Sequence, residues 1–180
     1  MRIIGGSLKG RTLKVPANFR GRPTTDFARE GLFNMLGAML EWDELDVLEL
    51  YAGTGAFSIE CLSRGVRQVD AVEIDSLHVK SIADNFRSFD FRNANVFRND
   101  AFKWLNHNNK AYNLIFADPP HDLPNLKELP SIVMNSTASS NGALFILEHN
   151  HRDEFSKYEN FMKSRKFSNV TFSFFSVPPR

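Results

Sequence analysis

Short apolar runs recur along this chain, and each is separated from the next by a segment long enough for a helix. Runs 47–50, 68–74, 95–98, 113–117 and 142–148 read as strands, with helices at 56–64, 76–89, 100–107 and 125–135. Strands divided by helices cannot pair as hairpins, so the pattern predicts a parallel sheet with right-handed crossovers. An additional helix is expected at 26–40, where Leu32, Phe33, Leu36 and Leu40 share a face and Thr25 stands ready to cap. Residues 159–167 fit either a helix or a strand, and Val170 to Phe175 is strand-prone. The expected fold class is α/β and Rossmann-like, a mostly parallel sheet with an antiparallel C-terminal strand. In such sheets ligands gather at the carboxyl ends of the strands, near the point where strand order reverses.

Those strand ends carry chemistry. The first runs into Tyr51-Ala52-Gly53-Thr54-Gly55, a Gly-x-Gly turn that lets backbone pass close beneath a ligand. A dinucleotide site would continue to a third glycine, but Ser58 stands there. Glu49, just before the turn, suits a cationic or zwitterionic cofactor better than a pyrophosphate. The second strand ends in Glu73, placed to accept both hydroxyls of a ribose. The third is followed by Asn99-Asp100-Ala101, where a carboxylate can accept from the amino group of adenine. Ribose, adenine and a charged amino-acid tail together describe S-adenosylmethionine, with S-adenosylhomocysteine as its product. Each acid alone reads more simply as a solvated strand end; their coincidence at successive tips carries the argument.

The fourth strand ends in Asp118-Pro119-Pro120-His121. Two prolines remove two backbone donors and leave carbonyl acceptors exposed. With the Asp118 side chain they suit an exocyclic –NH2, and the His121 ring can stack on the base that bears it. The plainer reading, a proline turn that ends a strand, is about as good until the glycine turn is counted.

The chain has 180 residues, 42% hydrophobic and 24% charged, enough for one substantial core. No apolar run approaches the length of a membrane span, and no secretory signal is expected. The single Cys61 reads as a small core residue and fits a reducing cytoplasm. The histidines lack metal-ligand spacing apart from His149-x-His151, which reads as surface, so no metal is expected. Net charge is only +1, yet no acid precedes Asp26 while Arg2, Lys9, Arg11, Lys14, Arg20 and Arg22 are all basic. Residues 1–25 therefore read as a basic hairpin-like arm, not an independent domain, in front of a catalytic domain at 26–180. Interleaved apolar residues argue that the arm packs against something, against the alternative of a solvated tail. Its cations would grip a phosphate backbone.

Arg2-Ile3-Ile4-Gly5-Gly6, Lys9-Gly10-Arg11, Arg22-Pro23-Thr24-Thr25-Asp26 with Arg29-Glu30 and Phe33, Ala52-Gly53-Thr54-Gly55-Ala56 and Ser63-Arg64-Gly65 follow one pattern in order. With Glu73, Asn99-Asp100-Ala101 and Asp118-Pro119-Pro120, the chain resembles the bacterial family that methylates guanine N2 in 16S ribosomal RNA of the small subunit. The resemblance implies a seven-stranded class I methyltransferase fold with helices on both faces and S-adenosylmethionine as donor. It also implies RNA as acceptor, within an assembling small-subunit particle; the protein is expected to be a monomer and, from its lone cysteine, cytoplasmic. On this reading Asp118, Pro119, Pro120 and His121 handle the amine. Glu49, Tyr51, Gly53, Gly55, Glu73, Asp100 and Ala101 hold the cofactor, and Arg2, Lys9, Arg11, Arg22, Thr24 and Thr25 meet the RNA. Two positions depart from the family pattern: His121 replaces a Phe or Tyr, and Phe167-Ser168 replaces a Tyr-Gly pair. Adenine N6 methylation, glutamine methylation and a non-catalytic RNA-binding factor on the same scaffold are the competing expectations; a nicotinamide dehydrogenase is the weakest.

Overall fold

Alternating apolar runs and amphipathic segments do build a layered sheet. The computed structural model describes residues 1–16, 19 and 24–179. Its main elements are α1 (Asp26–Gly37), β1 (Asp46–Leu50), α2 (Ala56–Ser63), β2 (Gln68–Glu73), α3 (Ser76–Ser88) and β3 (Ala94–Arg98). There follow α4 (Ala101–His107), β4 (Tyr112–Ala117), α5 (Leu129–Asn135), β5 (Ser139–Asn150), β6 (Phe161–Phe167) and β7 (Val170–Ser176). The seven strands lie in the order β3-β2-β1-β4-β5-β7-β6. All pairs are parallel except those of β7, which runs antiparallel to both β5 and β6. This is the Rossmann-like class I methyltransferase fold.

Strand alternation divides the core in two. Val47, Leu114 and Phe116 pack with Leu32, Phe33, Phe57, Ile59 and Ile82 from α1, α2 and α3. Leu48, Leu50, Ile115 and Ala117 face Leu105, Leu129 and Val133 from α4 and α5. Register then aligns the strand tips. Leu50 sits opposite both Val72 and Ala117, and Ala117 opposite Leu147. The next residues in each chain segment, Tyr51, Glu73, Asp118 and Glu148, therefore form one row across the sheet.

The arm closes on itself and docks. Arg2 bridges Thr12, Ile3 N–H donates to Arg11 O at 2.8 Å, and Gly10 N–H to Ile3 O at 2.8 Å. Ile3 and Leu13 are 1% and 2% exposed, so the apolar residues are the arm's anchor and a solvated tail is excluded. Its free N–H groups are satisfied by buried side chains: Ile4 and Gly5 donate to the Glu60 carboxylate at 2.8 and 2.7 Å. Lys14 and Asn85 exchange two bonds at 2.9 and 2.8 Å. Gly6 lies so close to α2 that a Cβ there would fall 1.9 Å from Ser63 O.

Three boundaries or placements differ from expectation, and one open alternative is decided. Helix α1 ends at Gly37 and not at 40, since glycine weakens a helix interior and Leu40 reaches the core from the turn beyond. The segment 125–135 splits into a 3₁₀ turn, Leu126–Glu128, and α5, because Pro130 belongs in a helix's first turn. Residues 161–167 take the strand alternative, paired with β7. His149 is buried, contrary to a surface reading: β5 runs on to Asn150, where the ring bonds Asn150 O and Ser173 Oγ, both at 2.8 Å. Burial lowers its pKa, so this is a neutral core histidine. Cys61 is buried as expected.

Candidate active site

The row of tips opens onto a cavity of about 500 Å³ on the α1–α3 side of the sheet. Its lining brings together Thr24, Glu49, Tyr51, Gly53, Glu73 and all of Asp118-Pro119-Pro120-His121. A smaller hollow of about 40 Å³ shares Tyr51, Glu73 and Ile74 with it and adds Asn99, Asp100 and Ala101. Gly55 lines neither. It enters α2 at φ 71°, and a Cβ there would fall 2.9 Å from Ile82 Cγ1, so its glycine is demanded by helix packing. Arg2, Lys9 and Arg11 stand exposed on the arm, away from the cavity lining. Arg22 lies outside the described residues. Thr25 spends its hydroxyl capping α1, accepting from Ala28 N–H at 3.2 Å.

One end of the cleft is tied down by backbone donors. Tyr51, at φ 57°, and Gly53, at φ 54°, turn the chain left-handed past the tip of β1. Gly53 N–H then donates to Glu73 Oε2 at 2.7 Å, and Asp75 N–H to Glu73 Oε1 at 2.8 Å. Each carboxylate oxygen keeps acceptor capacity for a second donor. Asp100 caps α4 by accepting from Lys103 N–H at 3.0 Å. The Tyr51 hydroxyl is buried and has no partner among the described residues.

The other end is rich in acids and poor in donors. Glu49 is 3% exposed and, among the described residues, accepts only from Ser58, through its N–H at 3.1 Å and its hydroxyl. Burial pushes its pKa to about 8. Asp118 is pushed up to about 7, again by burial. Its carboxylate accepts no hydrogen bond from the described residues, and the Pro119 carbonyl is likewise open, whereas Pro120 O accepts from Leu123 N–H at 3.0 Å. Glu148 takes the Thr24 hydroxyl across both oxygens at 2.9 and 2.8 Å. Burial first, then the nearby Asp118 charge, holds it well above the usual carboxylate range. Pro119 is buried, Pro120 and His121 exposed at the mouth.

Sequence reasoning passed over Glu148, His78 and Phe19, and quoted Arg29 only as part of a pattern; all four line the cavity. Glu148 had a faint signal, an acid at the end of a fifth apolar run. Phe19 and His78, whose rings meet in a tilted pair at 5.2 Å, had none, because their meeting joins the arm to α3.

A seven-stranded sheet of this order, with a glycine turn at the first tip and acids at the next, defines the class I methyltransferase-like proteins. Within that class the chain belongs to the family Conserved hypothetical protein 95, whose model matches residues 1–176. It is 32% identical over 148 residues to the Ribosomal RNA small subunit methyltransferase D of Escherichia coli K12, covering 82% of this chain and 74% of that protein. The solved Escherichia coli chain yhhF superposes at a TM-score of 0.86 with 27% identity, covering 100% and 99% of the two chains. A ribosomal protein L11 methylase from Lactobacillus delbrueckii shares the fold at a TM-score of 0.67 and 14% identity, covering 84% and 79%.

Proposed function

We propose that this protein transfers a methyl group from S-adenosylmethionine to the exocyclic N2 of a guanine in 16S ribosomal RNA. The observation that carries the reading is the unpartnered Asp118 carboxylate beside the open Pro119 carbonyl, set in one cavity with the glycine turn and Glu73. The lining fits the cofactor on independent grounds. Glu73 has spare acceptor capacity for ribose hydroxyls, Asp100 and the hollow around it suit adenine, and the orphaned Tyr51 hydroxyl lacks a partner that a ligand would supply. Glu49 faces the cationic tail. When bound, this cofactor supplies an electrophilic methyl on a sulfonium sulfur.

The amine needs help because the lone pair of guanine N2 is delocalised into the ring. Asp118 and the Pro119 carbonyl accept its two N–H bonds, orient the nitrogen and favour its pyramidal form. Such positioning, with a matching electrostatic field, contributes several kcal/mol to a barrier. As the N–C bond formed and the sulfur–methyl bond broke, leaving S-adenosylhomocysteine, N2 would shed a proton, and the Asp118 carboxylate, pushed up to about 7 by burial, is suited to take it on the way to water. His121 at the mouth stacks on the splayed-out base. Arg2, Lys9 and Arg11 on the arm, with Arg22, grip the phosphate backbone. Thr24 holds Glu148 in place, and Thr25 orders α1 behind the RNA-facing surface. The reading places the protein in the cytoplasm, acting as a monomer on an assembling small-subunit particle; no helix among the described residues is long and apolar enough to cross a membrane.

The test is to supply labelled donor to small-subunit RNA from a strain lacking this protein, both deproteinised and protein-bound, and map the modified base. Label on one guanine N2 is expected. Label on adenine N6, or none on either substrate, overturns the assignment.

A further inference from the structure

Arg29 lies in the first turn of α1 and is 4% exposed. Its Nη2 donates to Asp26 Oδ1 at 2.7 Å and to Arg2 O at 2.9 Å, which occupies both hydrogens on that nitrogen. Its Nε and Nη1 are buried and meet no acceptor among the described residues. A guanidinium cannot shed its charge, and buried donors without acceptors keep their full desolvation cost. Asp26 answers the charge on one side only, and the two remaining donors stand ready for a further acceptor that the described residues do not supply.

The cavity says which anion. Arg29 is the only lysine or arginine among the described lining residues, and Glu49, Glu73, Asp118 and Glu148 line the same space. One cation among several acids complements a zwitterion, whose carboxylate meets the cation and whose ammonium meets an acid. A phosphodiester would bring its charge into the field of those acids. It would also have to carry two flanking sugars down to a side chain almost closed to solvent. Resting on the cofactor reading above, we propose that Arg29 binds the α-carboxylate of the amino-acid tail of S-adenosylmethionine, with the Glu49 side of the cavity facing the tail's ammonium. The orphaned donors then gain acceptors, beside the existing link from the arm through Arg2 O to α1.

Two ligands isolate the carboxylate: S-adenosylhomocysteine, and its decarboxylated analogue, which keeps adenosine, sulfur and amine. Calorimetry on the full chain should find the decarboxylated analogue weaker by about 30-fold, in the range of a charge-assisted hydrogen bond. In Arg29→Gln that gap should collapse to less than about threefold through loss of S-adenosylhomocysteine affinity, the analogue's affinity being little changed. Arg29→Lys should restore part of the gap, since it returns the charge without the planar fork. The wild-type ligand comparison stands even if Arg29→Gln fails to fold: equal affinities there overturn the proposal. So does an Arg29→Gln protein that weakens both ligands equally, which marks a structural role, or one that keeps the gap and loses RNA binding, which marks a phosphate site. Wild-type protein that binds neither nucleoside would instead remove the cofactor reading itself.

Discussion

The two ends of the cleft solve the problem of a buried acid in opposite ways. At the tip of β2, Glu73 is 8% exposed, yet each of its oxygens accepts a backbone N–H from the turns beside it. Between β1, β4 and β5, the described residues serve the acids Glu49, Asp118 and Glu148 with two side-chain hydroxyls, those of Ser58 and Thr24, and one backbone N–H. All three are driven upward by burial. The first end is rigid before any ligand arrives, which suits a neutral sugar. The second is uncompensated, with acids awaiting donors and Arg29 awaiting an acceptor, which suits charged and reacting groups. Pre-organisation by backbone can be complete in a free protein, whereas a charge-bearing pocket is completed by what enters it.

The contrast breaks most sharply with a pair of truncations. Asp118→Ala is expected to lower methyl transfer by about 10³-fold while leaving S-adenosylhomocysteine affinity within a few-fold. Glu73→Ala should do the reverse at the binding step, losing about 100-fold in affinity as the ribose acceptor and the anchor of Gly53 and Asp75 go together. Parallel losses in both variants, by calorimetry and turnover, would erase the distinction.

A smaller effect concerns pH. Glu49 titrates near 8 in the folded protein against an ordinary value of 4.5. Between those values the folded state holds a proton that the unfolded state releases. Stability from this group is thus full below 4.5 and lost as pH rises through 8, with a slope of at most about 1.4 kcal/mol per pH unit. Glu49→Gln should flatten the fall of the urea midpoint across that window; an unchanged slope would mean that Glu49 is ionised in the fold. The smallest effect is expected from Tyr51→Phe. Removing a hydroxyl with no partner among the described residues should leave apo stability unchanged or raised by about 1 kcal/mol, while S-adenosylhomocysteine binding weakens about threefold. Lost stability would show a bond from that hydroxyl in the free protein.

What could be read from residues alone follows from how local the signal is. The glycine turn, Glu73 and Asp118-Pro119-Pro120 announce themselves because each ends an apolar run, and strand register alone then brings them level. Residues 161–167 were ambiguous because alternation and helical spacing fit the same seven positions, and pairing with β7 decides between them. His149 looked like surface because nothing in its neighbours shows that β5 continues beneath Phe155, whose ring it meets at 4.7 Å. Glu148 and Arg29 acquire meaning only from the cavity between α1 and β5, elements separated by most of the chain. A polar residue's partner, or its lack of one, is a tertiary fact that periodicity does not carry.

The seating of the arm has a consequence for selection. Gly6 is wedged against the backbone of Ser63, and Glu60 clamps the preceding N–H groups, so the basic arm cannot slide relative to the helix that begins at the glycine turn. If the arm grips RNA as proposed, that RNA meets a fixed gauge: the span from its held strand to Asp118 is set when the chain folds. Bases at the wrong reach would be turned away by distance before any of their edges were read.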